Sequence, residues 1–183
     1  MPRMLYVIYM NANFELKTGD ILHCSGKRLL SRLIKWATKS EYSHTAMVIE
    51  IWGVMCVIDS QKDGTNPRPL EAWLKKYNYE IIVARRELAK PRQKEICMRA
   101  MGKSGVTGYD FVTLLIRAPW GLLTGKWLKD EDPEREMVCS EFVMYSYFVE
   151  NSGRYSPGMV FEYTQAHNFE HKVYVYDLED KKD

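Results

Sequence analysis

What this 183-residue sequence lacks narrows its function before any motif is read. Its longest mainly apolar stretch, Ala46 to Ile58, is broken by Glu50 and Gly53 and is well short of the ~20 residues of a membrane-spanning helix. No transmembrane span is expected. Cysteine is sparse and scattered: Cys24, Cys56, Cys97 and Cys139 include no Cys-x-x-Cys pair, which argues against a zinc ribbon and against a dense disulfide framework. A reducing, cytoplasmic setting is the default expectation. An excess of one charge is missing too. The 26 Lys and Arg against 24 Asp and Glu leave a formal charge of +2, too balanced for a chain whose main partner is nucleic acid. The apolar run Met4 to Met10 follows Arg3 but is rich in β-formers and lacks a small-residue cleavage site, so it reads as a first strand rather than a signal peptide. There is no internal repeat or linker. The composition, 46% apolar and 27% charged, is that of an ordinary folded protein, and the length suits a single domain over residues 1–183.

What is present alternates between strand and helix patterns. Lys17-Thr18-Gly19-Asp20 is a turn leading into a short strand at Ile21-Leu22-His23. Between Lys27 and Lys39 the apolar residues Leu29, Leu30, Leu33, Ile34, Trp36 and Ala37 recur at helical spacing, opposite Arg28, Arg32, Lys35 and Lys39. That is an amphipathic helix with a basic face. Thr45 to Trp52 and Val54 to Ser60 form a hairpin turning at Trp52-Gly53, and Asp63-Gly64 with Asn66-Pro67 end it. A short helix over Pro69 to Tyr77, a strand over Glu80 to Arg86 and a helix from Pro91 to about Lys103 follow. Tyr109 to Ile116 reads as helical and Pro119 to Leu128 as an apolar loop. The most apolar helix runs from about Met137 to Glu150, and its breadth of apolar positions places it in the interior against the sheet. His167 and His171 fall in or beside a polar connection before a last strand, Lys172 to Leu178, and a charged, frayed end.

Cys139 is the nucleophile whose position carries information. It opens the apolar helix, where unpaired N–H groups and the positive end of the dipole favour a thiolate; a buried structural cysteine is the alternative. A thiol nucleophile needs a base, and His44 stands immediately before a run of core β-residues, held rigidly at a strand end. His23 adjoins Cys24, but neighbouring strand residues point to opposite faces, so they make no dyad. A metal site of His23, Cys24 and Cys56 has no supporting ligand spacing. The orienting acceptor for His44 is decided by hairpin geometry. Glu50, six residues along the same strand, is roughly 20 Å away. Asp59 returns on the partner strand: a two-residue loop pairs it with Ala46, a four-residue loop with His44, and either puts it on the imidazole's face.

Together, Leu16-Lys17-Thr18-Gly19-Asp20-Ile21-Leu22, Tyr42-Ser43-His44-Thr45-Ala46-Met47-Val48-Ile49-Glu50, Tyr109-Asp110-Phe111 and Val138-Cys139-Ser140-Glu141-Phe142-Val143 resemble the YiiX-like group of circularly permuted, papain-like cysteine hydrolases of the NlpC superfamily. The resemblance covers roughly residues 14 to 150 and implies an α+β papain-like fold, a central antiparallel sheet packed against helices, with the His strand ahead of the Cys helix. It implies Cys139 as nucleophile, His44 as general base and then acid, and Asp59 as orienting residue where the family often has Glu. Tyr109 matches a motif position and is a candidate for shaping the substrate side. No cofactor is implied. The substrate classes it implies are cell-wall peptides and acylated or lipid-like molecules. The apolar loop with Trp120 and the basic helix face suit an acyl chain with an acidic head group, and peripheral membrane contact with them. The rival expectation is a binding module that keeps the cleft without turnover. No sequence feature fixes an oligomeric state.

Overall fold

The computed structural model describes residues 9–10, 15–76, 80–108 and 137–174. Its strands are β1 (Tyr9–Met10), β2 (Ile21–Ser25), β3 (His44–Ile51), β4 (Val54–Gln61), β5 (Gly64–Pro69), β6 (Glu80–Arg85) and β7 (Glu170–Tyr174). The helices are α1 (Leu29–Thr38), α2 (Leu70–Lys76), α3 (Lys90–Met101), α4 (Cys139–Ser146) and α5 (Pro157–Ala166). The strands form one sheet in the order β1-β7-β6-β2-β3-β4-β5. Every pairing from β7 to β5 is antiparallel, and β1 adds a parallel edge. The fold is α+β, a six-stranded antiparallel sheet packed against helices. No helix among the described residues is long and apolar enough to cross a membrane.

The central strands are apolar on both faces because both faces are covered. On one side Ile21, Met47, Ile49 and Ile58 meet α3 through Ile96 and Ala100, α4 through Phe142, Val143 and Met144, and α5 through Val160. On the other, Leu22, Ala46, Val48, Val57, Ile81 and Val83 meet Trp73 and Leu74 of α2. Burying a large apolar side chain of this kind contributes about 1.5–3 kcal/mol, so the two cores fix the register of β2, β3 and β4.

The turn ahead of β2 is built on a charge. Gly19 takes a φ of 94°, open mainly to glycine, and its N–H donates to the Val48 carbonyl. Asp20, buried, receives Arg85 Nε on Oδ1 at 2.8 Å and Arg85 Nη2 on Oδ2 at 2.6 Å, a bidentate pair. The Gly-Asp of the first motif therefore locks the end of β2 to β6.

Several expectations need correction. The hairpin does not end at Asp63-Gly64. The chain turns there into a further strand, β5, whose prolines sit at a sheet edge where no ladder N–H is required. The polar connection expected around His167 and His171 contains α5. It was hidden by Pro157-Gly158, yet Ser156 caps the helix by accepting from the Met159 N–H at 3.3 Å, and proline suits a first helical position. His171 is a residue of β7, and His23 lies inside β2, fully buried, rather than at its end. The interior helix is shorter than expected, Cys139–Ser146, and all its residues except Tyr145 are buried. The expected helix 109–116 and loop 119–128 lie outside the described residues.

Candidate active site

β3 and β4 are joined by a two-residue loop, Trp52-Gly53, flanked by the Ile51–Val54 pair. Both loop residues have positive φ, 50° and 79°, the mark of the type I′ turn that matches strand twist. Of the two loop lengths compatible with the sequence, the shorter one forms. The register through Met47–Ile58 then sets Asp59 opposite Ala46 and diagonal to His44. A hydrogen bond of 2.8 Å between His44 Nε2 and Asp59 Oδ2 spans that diagonal.

Asp59 is completely buried, and a buried carboxylate is tolerable only when its oxygens are satisfied. Oδ2 also accepts from Gln61 Nε2 at 2.6 Å and from the Trp73 indole N–H at 3.1 Å, while Oδ1 accepts from Arg68 Nη1 at 2.5 Å. Arg68 is held in turn by Asp63, Nη2 to Oδ1 at 2.7 Å. Burial alone pushes the Asp59 carboxyl up. The hydrogen bond and charge of His44, with the bonds from Gln61 and Trp73, outweigh it and hold the group below the ordinary carboxylate range.

Cys139 is the first residue of α4, after Val138 in extended conformation. N–H groups in the first turn of a helix have no partner four residues back, so they remain available at the sulfur's end of α4. Burial pushes the thiol up. The charge of His44, a hydrogen bond with its ring and a hydrogen bond from the Thr45 backbone N–H pull it below its ordinary value. The Thr45 hydroxyl adds to that pull, although it makes no hydrogen bond within ordinary range. With Nε2 directed at Asp59, Nδ1 is the ring nitrogen left for the sulfur. For His44, 12% exposed, burial opposes the charged ring. The charge of Cys139 and the hydrogen bonds with Asp59 and Cys139 overcome this and raise its pKa to about 10. The direction at both ends is that of a thiolate facing an imidazolium, with a carboxylate behind the ring.

The structure thus brings together Cys139, His44 and Asp59, which reach the site from α4, β3 and β4. Tyr109 and Trp120, expected on the substrate side, lie outside the described residues. Cys24 stands opposite His44 in the β2–β3 register, but burial, then the charges of Asp59 and Cys139, raise its thiol well above normal. His23 points to the other face, its pKa lowered to about 3 by burial and then by His171, and it stacks edge-on against Phe161. Sequence reasoning missed Thr45, Gln61, Arg68 and Trp73. Gln61 carried a signal, two residues beyond Asp59 and on its face. Arg68 and Trp73 depend on β5 and α2 and carried none.

These residues suit metal binding poorly. Among the described residues no group of three or more His, Cys, Asp and Glu could hold an ion, and the Asp59 oxygens already face four donors, one of them a guanidinium.

No family model matches the chain, and no curated protein matches it. Among solved structures it is similar to the metalloprotein yiiX from Escherichia coli O157:H7, with a TM-score of 0.59 and 21% identity over 87% of this chain and 89% of that one. The likeness is one of fold: the α+β architecture is YiiX-like.

Proposed function

We propose that the chain is a cysteine hydrolase that cleaves an amide or ester through an acyl-enzyme, on a permuted papain-like domain of the NlpC superfamily. The observation that carries this reading is the line from the Cys139 sulfur through the His44 ring to Asp59 Oδ2, 2.8 Å from Nε2. The thiolate attacks the substrate carbonyl carbon, and the negative oxygen that forms is met by N–H groups at the start of α4. His44 gives its proton to the departing amine or alcohol as the C–N or C–O bond breaks. The neutral ring then takes a proton from water, hydroxide adds to the thioester, and the acid leaves as the thiolate reforms. Asp59 keeps the ring oriented and stabilises its charged form. Cell-wall peptides and acylated, lipid-like molecules are the substrate classes of this reading. The fold neighbour, yiiX, is described as a metalloprotein; no metal step belongs to this reading, because the donor set does not suit one.

The test is hydrolysis of peptide and acyl ester probes by wild type and Cys139→Ala. The substitution removes a sulfur at a helix start and little else, so it should abolish turnover while the melting temperature stays close to wild type. Full activity in the variant would make Cys139 structural. A wild type that binds such probes without turnover would make the domain a binding module.

A further inference from the structure

α1 has the pattern of a helix that packs inward, yet none of its residues is buried. Leu29, Leu30, Leu33 and Trp36 are 72%, 45%, 52% and 78% exposed. Ten large apolar side chains are exposed among the described residues, and four of them belong to this one helix. At ~100° per residue they form a single stripe. Arg28, Arg32 and Lys39 lie along its flank, and no acidic residue occurs between Lys27 and Ser40.

The helix is attached by a different edge. Ser31, Ile34, Lys35, Ala37 and Thr38 are its half-buried positions. Lys35 Nζ donates to Ser25 Oγ at 3.2 Å. Ser31 packs so closely on Gly26 that an added Cβ would stand 2.3 Å from its hydroxyl. The Gly26 N–H donates to Ser43 Oγ at 3.0 Å, and beyond the far end a Cβ on Gly158 would meet Ser40 at 2.6 Å. A largely polar grip holds α1, and the apolar stripe is left over.

The charges beside the stripe select its occupant. A second copy docking through the same face would crowd cations against cations. An apolar stripe flanked by Arg and Lys, with no acid, is complementary to acyl chains beneath anionic head groups. We propose that α1 is a docking helix that seats this domain on anionic lipid bilayers, Leu29, Leu33 and Trp36 entering the acyl boundary while Arg28, Arg32 and Lys39 meet the phosphates. Docking does not depend on turnover by Cys139. Where both hold, Ser43, bonded to Gly26 at the moored end of α1, is itself the neighbour of His44, and the substrate belongs to the lipid-like class.

The test is sedimentation of the full chain with vesicles of phosphatidylcholine alone and of phosphatidylcholine mixed with phosphatidylglycerol. Wild type and Cys139→Ala should bind the mixture alike, bind the neutral vesicles weakly, and lose binding as salt rises. Arg28→Glu with Arg32→Glu should weaken partitioning about tenfold or more, and Leu33→Gln with Trp36→Gln should abolish it. Both double variants should keep the wild-type melting temperature and any activity on a water-soluble ester. Equal binding to both vesicle types, or undiminished binding by the variants, would overturn the proposal. So would a wild-type dimer in vesicle-free buffer that the variants lose, which assigns the stripe to a second copy. A large drop in melting temperature in both double variants would show that the chain itself covers the stripe, and would overturn it as well.

Discussion

At the scale of the residue, Asp59 combines two roles that substitution can separate. Its Oδ2 orients the His44 ring, and its charge stabilises the imidazolium and answers Arg68. Asp59→Asn keeps an amide oxygen for Nε2 but sets an NH2 group against a neighbouring donor, whereas Asp59→Ala keeps neither role. Relative kcat/KM should therefore fall in the order wild type, Asn, Ala, with Ala down by orders of magnitude. Equal, near-wild-type rates for both variants would remove Asp59 from the mechanism. The thiols offer a second measurement. Burial raises Cys24, Cys56 and Cys97, while Cys139 alone is lowered, so iodoacetamide at neutral pH should label one site in the native protein, and mass spectrometry should place it at Cys139. The sign follows from the pair. Falling pH protonates the thiolate only below the usual thiol range, and rising pH strips the His44 proton near 10. The pH–rate profile for hydrolysis should lose its alkaline limb near that value, and in His44→Ala the labelling of Cys139 should require a higher pH. Cys139, His44 and Asp59 were legible in the sequence because helix start, strand end and hairpin parity are local properties. The donors around Asp59 were not: Arg68 and Trp73 reach it only through the β4–β5 register and the placement of α2.

Elements show the same division between local and distant causes. β3 and β4 were legible because β-branched runs bracket a Gly-containing turn, and α1 because of its periodicity. β5 was not, since Gly64-Thr65-Asn66-Pro67-Arg68-Pro69 carries loop composition and becomes a strand only by pairing with β4. α5 was concealed by Pro and Gly at its own start. The β3–β4 turn holds an element-scale prediction. Trp52 occupies a left-handed position, φ 50°, fully exposed, where a bulky L-residue is disfavoured by roughly 1–2 kcal/mol and Asn is well tolerated. Trp52→Asn should raise stability by about 1 kcal/mol in urea unfolding, with an unchanged m-value. A loss of stability would mean that the indole makes a contact that outweighs its backbone conformation.

For the molecule as a whole, the site depends on one seam between the hairpin and α4. Ser60, the neighbour of Asp59, donates through Oγ to the Met137 carbonyl at 2.6 Å, two residues ahead of Cys139. Ser60→Ala leaves that buried carbonyl without this donor, at a cost of about 1–3 kcal/mol. It should also slow the alkylation of Cys139 at neutral pH, as the sulfur drifts from the imidazole; normal labelling with lowered stability would reduce the bond to a structural one. The seam also has a direction in time. Cys139 follows Asp59 by roughly eighty residues, so at ~5–20 residues per second the ribosome adds it roughly 4–16 s after the hairpin is complete. During that interval the nascent chain carries His44 and Asp59, with Cys24 opposite His44 in the β2–β3 register, but not yet Cys139. The order of synthesis thus makes Cys139 the last of the three groups to arrive.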